Sequence, residues 1–235
     1  MIFLSRLLLD PRSKAVRRDM ADCQELHRTV MAAFPQVATL QQLPRASFRV
    51  LYRLEWSLRS ERVKLYVQSK TQPDWTHLPP GHLTAEDGLE NPACKTIDES
   101  YRRLTEGMRL RFRLRANPTK KVDTKTGPNG LRRNGRRVEL RRDEEQIDWL
   151  RRKAEHGGFR ILDVAAAPEV PCVRLIREGL SHARKAGQTL TFASVLFDGR
   201  LEVTDAPAFA EALEAGIGPG KAYGFGLLSL APDPD

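Results

Sequence analysis

Apolar strand-like runs that recur in pairs, with amphipathic helices between them, predict an α+β protein with antiparallel sheets. The order is roughly β-α-β-β, an interrupted segment, and then β-α-β-β-α-β. That repetition predicts two tandem ferredoxin-like (RRM-like) domains, residues 1–95 and 96–235. At 235 residues, each half is long enough to have its own core, which excludes a disordered tail protein.

Residues 2–9 read as the first strand, since Arg6 interrupts the apolar run and no small-residue cleavage site follows, which argues against a signal peptide. After a polar link, a helix starts near Asp22. Asp22-Cys23-Gln24-Glu25 has capping-box spacing, with Asp22 able to accept first-turn amides and Glu25 able to reach back. Leu26, Val30 and Phe34 then form a core-facing stripe that ends at Pro35. Residues 47–56 and 62–68 read as strands joined by a polar turn, and residues 71–92 as either an eroded second helix or a loop.

In the second half, Arg109 to Arg115 alternates without exception and reads as a strand. Residues 117–130 are rich in turn formers, and Arg132-Arg133-Asn134-Gly135-Arg136-Arg137 is a basic arm around a dipeptide that favours a tight hairpin. A helix follows at 144–156, with Ile147, Leu150 and Ala154 inward and Gly157-Gly158 as its stop. Strands are expected at 159–164, 170–176 and 189–203, a helix at 206–215, and a closing strand at 223–230.

Lys and Arg number 39 against 30 Asp and Glu, a net charge of +9 that points to a polyanionic partner. Fifteen of the cations and only three acids lie between Arg102 and Arg142, so the rest of the chain is slightly acidic and the basicity is local. On a strand, Arg109, Arg111, Arg113 and Arg115 share one face and repel one another unless something neutralises them, as a phosphate backbone would. A solvated charged face is the plainer reading. No stretch approaches the roughly 18 apolar residues of a membrane span, and three scattered cysteines without a CxxC pair fit a reducing cytoplasm.

Five histidines lie outside any HExxH or His/Cys grouping, so the expectation is no metal and no cofactor. Acids at 143–145 are explained by the start of a helix. RNA offers a metal-free route, because its own 2′-hydroxyl can attack the adjacent phosphate when a side chain near neutral pKa moves protons. His27 suits that chemistry, since it lies in the first helix beside Arg28 and shares a face with Gln24, although a lone helical histidine also fits a packing role. Between residues 216 and 226, Gly216, Gly218, Gly220, Gly224 and Gly226 surround Lys221. Dense glycine lets amides approach a phosphate, or simply permits a strained connection. The run is not a Walker loop, which needs Ser or Thr at Ala222.

Leu-Asp-Pro-Arg-Ser at 9–13, Arg17-Arg18-Asp19, the helix Glu25-Leu26-His27-Arg28-Thr29, Gln72-Pro73-Asp74-Trp75, Leu114-Arg115-Ala116-Asn117-Pro118 and the terminal glycine run together resemble the CasE family of the RAMP superfamily. Its members are repeat-processing endoribonucleases of type I-E CRISPR systems. The resemblance implies tandem ferredoxin-like domains and metal-independent cleavage of precursor CRISPR RNA at the base of each repeat hairpin. It also implies retention of the enzyme on the hairpin beside the other Cascade subunits. The family's catalytic histidine maps onto His27 and its phosphate-contacting arginine onto Arg28. The stem-binding basic element corresponds to residues 109–142. Where the family often has a tyrosine three residues before the histidine, this chain has Gln24. A binding-only RNA clamp and a structural RNA-associated protein are the alternatives.

Overall fold

The computed structural model describes residues 1–36, 44–57, 62–85, 88–122 and 136–233. Its first half contains β1 (Phe3–Leu9), α1 (Lys14–Ala21), α2 (Cys23–Met31), a short α3 (Pro44–Ser47), β2 (Leu51–Ser57), β3 (Arg62–Ser69), β4 (Ala93–Thr96) and α4 (Asp98–Arg102). The sheet order is β2-β3-β1-β4 with every neighbour antiparallel, the ferredoxin-like arrangement. Strand alternation turns Leu7, Leu9, Tyr52, Val63, Leu65 and Val67 to one face, where Val16, Leu26 and Val30 of α1 and α2 cover them.

The second half contains β5 (Arg109–Ala116), β6 (Thr119–Val122), β7 (Arg136–Glu139), α5 (Asp143–His156), β8 (Phe159–Ile161), β9 (Asp163–Val164), β10 (Ala167–Pro171), β11 (Val173–Lys185), β12 (Gln188–Val203), α6 (Ala206–Ala215) and β13 (Leu228–Pro232). The main sheet runs β11-β12-β5-β13, and β8 pairs with the last residues of β12. β8 and β11 thus share the role of one edge strand, with the β9–β10 ladder inserted between them. Phe112 and Leu114 of β5 pack with Trp149, Leu150, Phe209 and Leu213 from α5 and α6. A separate antiparallel ladder joins β6 to β7.

Several elements depart from the sequence reading. The expected polar link holds α1, whose apolar side is reduced to Val16 and Met20, four residues apart among charges. α2 ends at Met31 rather than Pro35. Ala33 and Phe34 donate back to Val30 and Met31 in tighter turns, as the restriction on a residue before proline favours. Residues 70–85 form no helix; Trp75, Leu78 and Leu83 close the core from a loop instead. The strand expected at 47–56 begins at Leu51, after α3. β4 and α4 fall in a stretch given no element, and β11 extends to Lys185 before turning at Ala186-Gly187, both at positive φ as a tight hairpin requires. The closing strand begins at Leu228, because Gly224 and Gly226 leave the extended region. The arm's turn, with Arg132, Arg133 and Asn134-Gly135, lies outside the described residues, and Arg136 is described by its backbone alone.

Candidate active site

The first turn of α2 is built by Asp22, whose Oδ1 accepts the Gln24 amide at 2.8 Å. The same carboxylate accepts the Arg184 amide of β11 at 3.2 Å, so the cap also fastens α2 to the second half. Glu25 does not reach back to the cap; it pairs with Arg28 and with Arg18. Three residues beyond Gln24, His27 is half-buried where α2, β2 and the glycine-rich loop meet. Its ring lies 6.5 Å from that of Tyr52, nearly parallel, and 6.5 Å from that of Tyr223, tilted by 54°. Arg28 is exposed, whereas Gln24 is only 8% exposed and turns toward the interior.

The loop that presents Tyr223 owes its path to its glycines, all five of which have positive φ. A Cβ at Gly218 would meet the Trp149 ring at 2.7 Å, and one at Gly226 would meet the Ile217 carbonyl at 2.9 Å. Ile217 donates to the Gly226 carbonyl and Gly226 to that of Arg115, both at 2.9 Å, which stitches the loop to itself and to β5. Lys221 opens a single 3₁₀ turn that ends at Tyr223. Burial pushes the Tyr223 phenol above its ordinary pKa, with Cys23 and Asp22 adding to the effect. Burial likewise raises the Cys23 thiol, against the pull of Arg115 and a hydrogen bond from Ser181.

β5 places its arginines on the face opposite α5 and α6, as alternation predicts, but the protein supplies most of the counter-charge. Arg113 holds Asp198 in a fork at 2.6 and 2.8 Å and reaches Glu55 at 3.2 Å. Arg115 donates to Glu178 at 2.6 Å and to Ser181, with its guanidinium 4.8 Å from the Phe225 ring centroid. Arg109 pairs with Glu202 at 3.3 Å. Arg111 is exposed and makes no ion pair among the described residues.

A second group of cations surrounds two adjoining cavities. One, of about 850 Å³, runs from Tyr223 and Phe192 past Asn117 to Lys120 and Arg137; Glu139 and Glu145 on its wall are paired with Arg141 and Arg142. The other, of about 610 Å³, shares Lys120, Arg137 and Pro219 with it and adds Arg152, Lys153 and Lys221. Sequence reasoning missed Tyr52 and Tyr223. Tyr223 lies within the glycine run, whose density was the available signal. Among the described residues, no group of three or more His, Cys, Asp or Glu side chains is placed to hold a metal ion.

Two ferredoxin-like halves that meet near His27, beside cationic cavities and a terminal glycine-rich loop, form a surface suited to an RNA backbone. A family model described as CRISPR associated protein matches residues 2–232. The chain is 37% identical over 238 residues to the CRISPR-associated endoribonuclease Cse3 of Thermus thermophilus, spanning 98% of this chain and 100% of that one. It is 31% identical over 233 residues to the Cascade subunit CasE of Escherichia coli, with 98% and 100% covered. A structure of Cse3 bound to a 19-nucleotide RNA superposes with a TM-score of 0.77 at 37% identity, over 98% of this chain and 100% of that one. The chain belongs to the CasE-type family of CRISPR-associated endoribonucleases.

Proposed function

We propose that this protein cleaves precursor CRISPR RNA at the base of the repeat hairpin without a metal ion and then stays on the mature guide as a Cascade subunit. The observation that supports the reading is His27, a residue type able to transfer protons near neutral pH, whose ring lies 6.5 Å from those of Tyr52 and Tyr223, with Tyr223 in turn lining the cationic cavity. In this mechanism the ribose 2′-hydroxyl loses its proton as its oxygen bonds to phosphorus. The bond from phosphorus to the 5′-oxygen breaks, and that oxygen takes up a proton. The products are a 2′,3′-cyclic phosphate and a 5′-hydroxyl. His27 exchanges the proton at the reacting oxygen. Lys120, Arg137 and Lys221 meet the stem phosphates, together with Arg28 and Arg111; from the sequence, Arg132, Arg133 and Arg136 are assigned to the same contact.

Support for the substrate comes from the relatives: Cse3 was solved with RNA, and the Escherichia coli relative is named as a Cascade subunit. The test is single-turnover cleavage of the cognate repeat hairpin in EDTA. Cleavage is expected to persist, and to stop when the 2′-hydroxyl 5′ of the scissile phosphate is replaced by hydrogen. His27→Ala is expected to slow it by about 10²–10⁴-fold with hairpin affinity retained. A deoxy substrate cut at the same bond, or full activity in His27→Ala, would overturn the mechanism.

A further inference from the structure

Two phenols flank His27, and their hydroxyls are used differently. Tyr52 is fully buried, and its hydroxyl is committed to the Ala222 carbonyl at 2.6 Å. Tyr223 is half-buried, with its ring 4.7 Å from that of Phe192. The Tyr223 hydroxyl makes no hydrogen bond to any described residue. Tyr223 also lines the cavity that continues to Lys120 and Arg137, so the phenol beside His27 whose hydroxyl lacks a partner among the described residues borders the cationic path. Gln24, one helical turn before His27, is only 8% exposed.

We infer that Tyr223 is a second catalytic residue of the cleavage site, its hydroxyl donating a hydrogen bond to a nonbridging oxygen of the scissile phosphate beside His27. The inference rests on the hairpin-cleavage reading above. As the 2′-oxygen bonds to phosphorus and before the 5′-oxygen leaves, negative charge grows on the nonbridging oxygens. A fixed donor aimed there stabilises the transition state more than the ground state. Tyr223 keeps its proton throughout: the proton lost by the 2′-hydroxyl and the one gained by the 5′-oxygen pass through other groups. Burial of the phenol supports this role by holding it in the neutral, donating form. The Phe192 contact fixes the ring, so the hydroxyl is positioned before RNA arrives.

The experiment compares the wild type with Tyr223→Phe, a change that removes one oxygen without a partner among the described residues and retains the packing ring. Single-turnover cleavage of the repeat hairpin at saturating enzyme is expected to slow by about 10²-fold, the effect of losing one such donor. Hairpin affinity and melting temperature are expected to stay at wild-type values. Replacing one nonbridging oxygen of the scissile phosphate by sulfur weakens the acceptor. It should slow the wild type through one stereoisomer and have a smaller effect on Tyr223→Phe. Wild-type cleavage by Tyr223→Phe overturns the inference, as do equal sulfur effects in the two proteins or a rate loss matched by lost affinity. A wild type that leaves the hairpin uncut overturns the parent reading instead, which separates the two failures.

Discussion

The hydroxyl of Tyr52 donates a 2.6 Å hydrogen bond to the Ala222 carbonyl, joining the buried start of β2 to the turn that presents Tyr223. Because the Tyr52 ring also stacks on His27, one side chain sets the position of the histidine and of the loop facing it. The cap of α2 works to the same end from the other side, since Asp22 accepts from Gln24 within the helix and from Arg184 of β11.

Tyr52→Phe keeps the ring on His27 and breaks the link to the loop. Urea denaturation is expected to show a loss of about 0.5–1.5 kcal/mol, the usual net value of one such hydrogen bond. Cleavage should slow while hairpin affinity changes little, because the loop shifts relative to His27 but the cationic groove is untouched. An unchanged stability and rate would show that the bond does not position the loop.

Arg53 pins the halves together from inside. It is 3% exposed and donates to the Leu227 carbonyl at 3.1 Å, to Ser229 Oγ at 3.0 Å and to Glu55 at 2.7 Å. Burial pulls its guanidinium below the ordinary arginine pKa, with Glu55 opposing, yet it remains charged. Arg53→Ala strands the Leu227 carbonyl and part of the Glu55 charge, at an expected cost of about 3–5 kcal/mol, as for breaking a buried ion pair. Thermal denaturation at low and high salt checks this, and the loss is expected to persist at high salt because the Arg53 guanidinium is buried.

Much of this arrangement is legible in the sequence. The Asp22 cap, the helix bearing His27 and the alternation of β5 depend on local spacing, and local spacing is enough to find them. The fate of the β5 arginines is not legible there, because Asp198, Glu178 and Glu202 lie more than sixty residues away and meet them only through strand register. α1 escapes a pattern reading because its buried side is two residues wide, and β4 because it is a four-residue edge strand whose register on β1 is tertiary. By sequence alone Tyr223 opens a strand. Only the folded loop, with its left-handed glycines, shows that it stands beside His27.

The four arginines of β5 should therefore separate in experiment. Arg111→Ala is expected to weaken hairpin binding and reduce the salt slope by about 0.7–0.9 if it meets one phosphate. Arg113→Ala removes the partner of Asp198 and Glu55, so it should lower the melting temperature first. Filter binding across a salt series, paired with melting of the same variants, makes the comparison. Equal salt slopes for Arg111→Ala and the wild type would remove Arg111 from the RNA path.

Acid sensitivity should trace in part to His82, which is 2% exposed within the loop that closes the first core. Burial lowers its pKa from the ordinary 6.5; nearby Arg18 and His77 add to the effect, while the buried Asp19 carboxylate opposes it. The folded state therefore binds fewer protons than the unfolded state just below the unfolded pKa. Stability from this group is fully present above about pH 6.5 and is lost as pH falls below it. Urea midpoints measured from about pH 8 down to about pH 5 should decline for the wild type, and less steeply for His82→Asn, which cannot titrate. Parallel declines would assign the acid loss to carboxylates such as Glu202, held below its usual range by Arg160 and Arg109, whose contribution disappears at lower pH.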